Sequence, residues 1–424
     1  MMESSSLFNG HRDVSCYVSM AFFAILLAAA FVPTSAAQNV PSKGQSATLE
    51  VATWNMLFFG SGDIDEAQQF ENARTVFEQS EIDVWGVQEI RDKSDFNRLI
   101  DSLGAGYEGA LATGNDFLRL GFIWRTDVVE TASVEHILTD SRREFGNRAP
   151  LKLEADVALP DTSLTVTFIT LHAKASDGQE NHMRRSDAAD ALKSRLDFGS
   201  LAGKPVVVLG DYNDEVDGSV HVGGDSPYAD FRTDDEDYRF VSLPIEQNDL
   251  GTFCGDSDDC DFGRGNNRTY DHILITNELF SAYVDDSAMR YAALLDAFDG
   301  MGGDCDGEYV CTTSDHLPVF ARFDFAGGTP VAPADVLAEA RVEAPFPNPA
   351  HARATLRYTL RRSGAVTAAL YDVLGRRIRT LASGRQAAGE HALSVPVEGL
   401  PAGAYFVRLR VPGGRAVVPV TVGR

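Results

Sequence analysis

The sequence predicts an α/β body built on mixed β-sheets with helices on their outer faces, followed by a small all-β sandwich. Two observations predict the body. Apolar runs of strand length end, one after another, in a polar residue that strand packing does not call for, and later in the chain the order inverts. A third observation predicts the sandwich: beyond a segment rich in Ala, Pro and Gly, the chain turns into short alternating strands. With 424 residues, two domains plus processing segments are expected.

The first segment is a leader. Residues 21–32, AFFAILLAAAFV, are apolar but too short to cross a bilayer of about 30 Å. Ser35-Ala36-Ala37 then places small residues where a signal peptidase reads, so residues 1–37 are expected to be a cleaved signal peptide, with no stable membrane span. Export gives the cysteines their meaning. Cys16 leaves with the leader, and the remaining four, Cys254, Cys260, Cys305 and Cys311, suit disulfides. Three pairings are open; Cys254–Cys260 and Cys305–Cys311 each close a short loop and are preferred. The loops around them are crowded with carboxylates (Asp256, Asp258, Asp259, Asp261; Asp304, Asp306, Glu308). Solvated acidic loops are the first expectation there, and a structural Ca²⁺ that neutralises them is the second.

Between residues 48 and 325 the strand ends carry the chemistry. Leu49 to Trp54 leads to Asn55, and Val84 to Gln88 leads to Glu89. The alternating run Leu164 to Leu171 ends at His172, and Pro205 to Gly210 delivers Asp211, with Asn213 two residues on. The order then inverts, since Asp271-His272 precede Ile273 to Ile275 and Asp315-His316 precede Leu317 to Phe320. Residues at the finishing ends of four strands and the starting ends of two can share one rim only if those two run antiparallel to the four. Helices over Glu66–Gln79 and His182–Leu196 are expected to cover the sheets; Phe70, Ala73 and Phe77 recur at helical spacing in the first. Arg184, Arg185, Lys193 and Arg195 give the second a basic face, expected to be solvated.

Residues 326–343 read as a linker. Strands over Thr355–Leu360, Val366–Leu370 and Tyr405–Val411 follow, with turns at Ser363-Gly364, Leu374-Gly375 and Pro412-Gly413. Charge divides at the same place. Residues 341–424 carry thirteen Arg, no Lys and four acidic residues, an excess of nine positive charges; the −25 of the whole chain therefore leaves −34 on residues 1–340. So acidic a body argues against a protein that grips nucleic acid through a broad basic face. It leaves open an enzyme that meets phosphate through a metal.

Two resemblances follow from these motifs. Thr53-Trp54-Asn55, Val87-Gln88-Glu89, Thr170-Leu171-His172, Leu209-Gly210-Asp211-Tyr212-Asn213, Tyr270-Asp271-His272 and Ser314-Asp315-His316-Leu317-Pro318-Val319 together resemble, in order, the endonuclease/exonuclease/phosphatase superfamily. The resemblance covers nearly the whole of residues 48–325 and implies a four-layer α/β sandwich, two mixed β-sheets flanked by helices. The second lies in residues 344–424. Phe346-Pro347-Asn348-Pro349-Ala350, Leu370 to Arg376 and Leu400 to Tyr405 resemble the C-terminal sorting domain of the type IX secretion system. That implies the type IX machinery as a partner, and passage through periplasm and outer membrane to the medium or the cell surface.

The superfamily resemblance implies a metal-dependent phosphoric ester hydrolase. Glu89 is the expected oxygen ligand for Mg²⁺ (or Mn²⁺), with Asn55 and Asp315 at or near the metal. Asp211 would orient or deprotonate water, Asn213 would hold the phosphate, and Asp271 would fix the tautomer of His316. His172 is the second imidazole, with acid and base roles left open between the two, and Arg148 is the expected phosphate contact. Asp211 and Asn213 are expected on one side of an extended segment, about 7 Å apart. Nucleic acid is the expected substrate of a secreted enzyme of this type. A phosphodiesterase or phosphatase for lipids or small molecules is the alternative, although no convincing exposed apolar hairpin for membrane contact is present: Leu57-Phe58-Phe59 reads more simply as core. A non-catalytic surface-binding protein on the same fold is a further alternative, opposed by the full set of polar residues. The sequence leaves the oligomeric state open.

Overall fold

A computed structural model of the chain describes residues 39–62, 64–114, 117–255, 262, 268–298, 309–326, 340–373, 377–411 and 414–423. The expected signal peptide lies outside these residues. So do Cys260 and Cys305, and with them the expected pairings, as well as the carboxylate loops considered for Ca²⁺.

The body is built on two six-stranded sheets. In the first, the central strands β1 (Thr48–Phe59) and β2 (Val84–Ile90) are buried along nearly their whole length, as parallel neighbours covered on both faces must be. They are flanked by β3 (Tyr107–Leu111) and β4 (Arg119–Arg125) on one side and by Met289–Arg290 (β11) and Val319–Asp324 (β12) on the other. The second sheet contains β5 (Val129–His136), β6 (Leu151–Leu159), β7 (Thr162–His172), β8 (Val206–Asp211), β9 (Tyr238–Phe240) and β10 (Asp271–Thr276). The expected inversion is present. β1 and β2 are parallel to each other and β12 is antiparallel to β1; β7 and β8 are parallel and β10 is antiparallel to β8.

Apolar residues from the facing sides of both sheets form the central core, among them Val51, Phe122, Phe168, Leu209 and Ile273. The two outer faces are covered by helices. Helix α1 (Glu66–Ser80) starts where the Asp65 side chain accepts from Gln68 N–H, and it buries Phe70, Ala73 and Phe77 against the first sheet, as the spacing predicts. Helix α2 (Lys93–Leu103), capped by Asp92, joins it. Helix α3 (Gln179–Phe198) covers the second sheet with Ala188, Leu192 and Leu196. The layers are thus helix, sheet, sheet, helix, the expected four-layer sandwich. The two sheets meet closely at Gly86, where an added Cβ would lie 1.9 Å from Leu209 Cδ1 and 3.1 Å from Thr170 Cβ. Glycine is the residue that permits this approach.

Residues 327–339 lie outside the described residues, but Ala340–Val342, inside the expected linker, form strand β13 against Tyr358–Leu360. The C-terminal sandwich packs the sheet β13, β14 (Arg353–Leu360), β17 (Gly389–Pro396) on the sheet β16 (Arg377–Gln386), β15 (Gly364–Tyr371), β18 (Gly403–Val411), β19 (Gly414–Val422). Alternate residues such as Leu356, Tyr358, Val366, Leu370, Val407 and Leu409 fill its core. Two of its expected turns, at Leu374-Gly375 and Pro412-Gly413, lie outside the described residues.

Candidate active site

Strand register builds the site. His172 at the end of β7 is paired with Asp211 at the end of β8, and Asp211 is paired with Asp271 at the start of β10, so the three stand in one row across the second sheet. Gly210 makes the row tight, because a Cβ there would meet the backbone oxygen of Leu171 at 2.1 Å. On the first sheet, a register shift separates the Asn55–Gln88 pair from the Phe59–Ile90 pair. The bulge places Leu57, Phe58 and Glu89 at positive φ, and it turns the Glu89 carboxylate to accept from Phe58 N–H at 3.3 Å. Leu57 and Phe58 are half-buried and Phe59 is buried, so this segment is part of the core margin.

The two sheets join at Asp211. Its Oδ2 accepts from Asn55 Nδ2 at 3.0 Å and lies 3.4 Å from His172 Nε2 and 3.9 Å from His316 Nε2. His316 Nδ1 meets Asp271 Oδ2 at 2.8 Å, the expected His–carboxylate pair. Asp315 Oδ1 lies 4.0 Å from His316 Nε2, and Glu89 Oε1 lies 3.8 Å from His172 Nε2. The sequence-derived residues Asn55, Glu89, His172, Asp211, Asp271, Asp315 and His316 therefore share one neighbourhood.

Two expectations are corrected. Asn213 does not continue an extended segment: its φ is +50°, and its N–H is held at 2.8 Å by Asp211 Oδ1, a side-chain-to-backbone bond that bends the chain. Its carboxamide donates to Ala173 O at 3.3 Å, which keeps it at the same edge. The basic residues of α3 do not form one solvated face. Arg185 is fully buried on Asp214 at 2.8 Å, and Lys193 is buried between Asp197 and Asp234. Arg148 reaches the end of β7 and donates to His172 O and Ala173 O at 3.3 and 3.0 Å.

Burial sets the electrostatics. It pushes the Asp211 carboxyl up to about 7, despite the opposing pull of His316 and the Asn55 hydrogen bond, and it raises Asp315 to about 6, with Glu89 adding to the rise. Burial alone would lower His316, but Asp271, Asp315 and Asp211 outweigh it and raise the imidazole to about 10. His172 falls well below its ordinary value through burial, then through Arg148, His316 and Lys174. One imidazole is thus cationic at neutral pH and the other is neutral.

Some contributors carry no motif that reveals them. Thr252 donates to Asp271 Oδ2 at 2.8 Å. The Phe253 ring lies 4.8 Å from that of His316. Ser314, in a quoted motif, ties the segment before β12 to the neighbouring strand β1 of the same sheet by donating to Asn55 O at 2.6 Å.

The donor set fits a hard divalent cation. Ligand atoms of Glu89, His172 and Asp211 lie within 4.8 Å of one another, and Asp315 Oδ1 beside them is buried without a hydrogen-bond partner among the described residues.

Residues 52–316 match the model of the Endonuclease/Exonuclease/phosphatase family, and the chain belongs to that family. Residues 344–418 match the Secretion system C-terminal sorting domain. Among solved structures, the chain is similar to a humanized TDP2 from D. rerio (16% identity, TM-score 0.45, 66% of this chain and 99% of that one). It is also similar to an AP endonuclease from Archaeoglobus fulgidus (18%, 0.47, 65% and 99%). A mannosyl-6-phosphatase from Bacteroides thetaiotaomicron is a third (15%, 0.41, 65% and 99%). No curated protein matches the chain. Among the described residues, no helix is long and apolar enough to cross a membrane.

Proposed function

We propose that the chain is a secreted, divalent-metal-dependent phosphodiester hydrolase that cleaves nucleic acid. In this reading residues 1–37 are a signal peptide, 48–325 the catalytic domain, 326–343 a linker and 344–424 the sorting domain, which directs the enzyme by the type IX route through periplasm and outer membrane. The observation that carries the reading is the convergence on Asp211 Oδ2 of Asn55, His172 and His316 from both sheets.

Glu89, with Asp315 and Asn55 beside it, would hold Mg²⁺ or Mn²⁺. When bound, the ion supplies charge neutralisation to the phosphoryl oxygens. Asp211 orients the attacking water and takes its proton, a task suited to a carboxyl raised toward neutrality. His316, kept cationic by Asp271, meets the charge that grows on the phosphate. His172, neutral and opposite it, stands at the leaving oxygen, and Asn213 holds a phosphate oxygen. Arg148 adds positive potential at the end of β7.

Nucleic acid is favoured over a small phosphate ester by charge beside this edge. Lys174 and Arg184 make no ion pair among the described residues, and each donates instead to a backbone carbonyl, Ala175 O and Arg143 O. Two cations outside any ion pair among the described residues, in so acidic a body, suit a substrate with phosphates on either side of the scissile one. The test is incubation of residues 38–424 with plasmid DNA, RNA, sphingomyelin and a generic phosphodiester, with Mg²⁺ and with chelator. Nicking that requires metal is the expected result, and His316→Ala and Glu89→Ala are expected to lose about 10²–10⁴ of it. Hydrolysis of sphingomyelin with nucleic acid untouched would overturn the substrate, and full activity in either variant would overturn the site.

A further inference from the structure

Strand β18 alternates with a period of two. Tyr405, Val407 and Leu409 point into the sandwich core, which puts Phe406, Arg408 and Arg410 on the opposite face. On an isolated sandwich that face would be wet. Here Arg408 is only 4% exposed, because the catalytic body covers it.

What covers it is complementary in charge and shape. The end of α3 and the segment before β9 present Asp197, Asp234, Glu236 and Asp237, with Lys193 as their cation among the described residues of the body. Arg408 enters this pocket with Nη1 2.9 Å from Asp234 Oδ2 and Nη2 3.4 Å from Asp197 Oδ1, and it also pairs with Asp237. Arg410 Nη2 lies 2.6 Å from Asp234 Oδ1, and the same guanidinium pairs with Glu236 and Asp237. Beside the charges, Phe198 of α3 stacks on Phe406 at 5.1 Å and contacts Tyr371 at 5.5 Å, while Ser194 Oγ donates to Val373 O at 3.0 Å.

Without the two arginines, four carboxylates would face one lysine, and the ligand oxygens of Asp197, Asp234 and Asp237 would remain within 4.8 Å of one another. Burying like charges that closely is costly, and removing one side of a buried pair leaves the other as an uncompensated buried charge. The pocket is therefore electrostatically incomplete until the sandwich fills it. Asp234 agrees: burial would raise its carboxyl, yet Lys193, Arg408 and Arg410 hold it well below the usual carboxylate range. The opposite net charges of the two parts add a long-range attraction of the same sign.

We propose that Asp197, Asp234, Glu236 and Asp237 form a docking site for Arg408 and Arg410, so that the C-terminal sandwich stays bound to the catalytic body after the segment joining them is cut. Departure of the sandwich is then controlled by these ion pairs and the Phe198–Phe406 stack, and cutting the chain does not by itself free the enzyme.

The test uses residues 38–424 with a specific protease site placed within 327–339. After cutting, the nicked protein is followed by size exclusion over a dilution series, which reads the affinity of the two halves without first separating them. Wild-type halves are expected to co-elute. Arg408→Glu/Arg410→Glu is expected to separate them, and Asp234→Lys/Glu236→Lys, made on the other partner, is expected to do the same. Since reversing a buried charge can unfold the sandwich, the milder Arg410→Gln provides a folded control; with circular dichroism unchanged, it should weaken association about tenfold or more. Separation of wild-type halves on cutting, or co-elution that survives both reversals, would overturn the proposal.

Discussion

At the scale of residues, the site is held in conformations that its side chains do not choose. Glu89 and Asn213 both stand at positive φ, +61° and +50°, where a residue other than glycine is strained. Each is fixed by a local bond, Phe58 N–H to Glu89 and Asn213 N–H to Asp211. Strain and function can be separated at Asn213. Asn213→Gly suits the backbone but removes the carboxamide, so chemical denaturation should stay within about 0.5 kcal/mol of wild type while phosphodiester hydrolysis falls. Asn213→Ala lacks both advantages and should also lose about 1 kcal/mol of stability. The Asp211-to-Asn213 spacing was legible in the sequence, but the bend between them was not. A hydrogen bond from a carboxylate to a backbone N–H two residues on leaves no mark in the hydrophobic pattern.

At the scale of elements, the strands carry the site at one end and a second buried charge cluster elsewhere. Where β1 begins, Glu50 is fully buried between Thr48 and Arg322, and its N–H donates to Asp83 Oδ2 at 2.8 Å, just ahead of β2. Burial raises the Asp83 carboxyl to about 8, and the neighbouring Glu50 charge adds to the rise. A carboxyl raised on folding contributes stability that is complete below its unfolded value and is lost as pH climbs through the folded one. Wild type should therefore lose stability between about pH 4 and 8, and Asp83→Asn should flatten that slope by about 1 kcal/mol or more in urea titrations across the window. Element order and direction were readable because strand-end polarity inverts along the chain. Neither the bulge opposite Glu89 nor the part played by Thr252 was readable. The first arises from pairing between strands, and the second from a loop whose sequence resembles any other.

At the scale of the whole molecule, charge sets the working conditions. The excess of 34 negative charges on residues 1–340 surrounds the few cations at the site, so a polyanion is repelled until salt screens the body. The Debye length falls from about 10 Å at 0.1 M to about 3 Å at 1 M. If nucleic acid is the substrate, its KM should fall over that range while the KM for a small phosphodiester stays level; a nuclease rate that is greatest at low salt and lost above physiological strength would contradict this. The sheet-to-sheet contact at Gly86 has a different consequence. Asn55 and Glu89 hang from one sheet, while His172, Asp211 and Asp271 hang from the other, with their shared core between. Neither sheet can loosen alone and leave a working remnant. Heating should therefore abolish hydrolysis and the near-ultraviolet signal of the buried tryptophans in a single superimposable transition, with no partially active stage between.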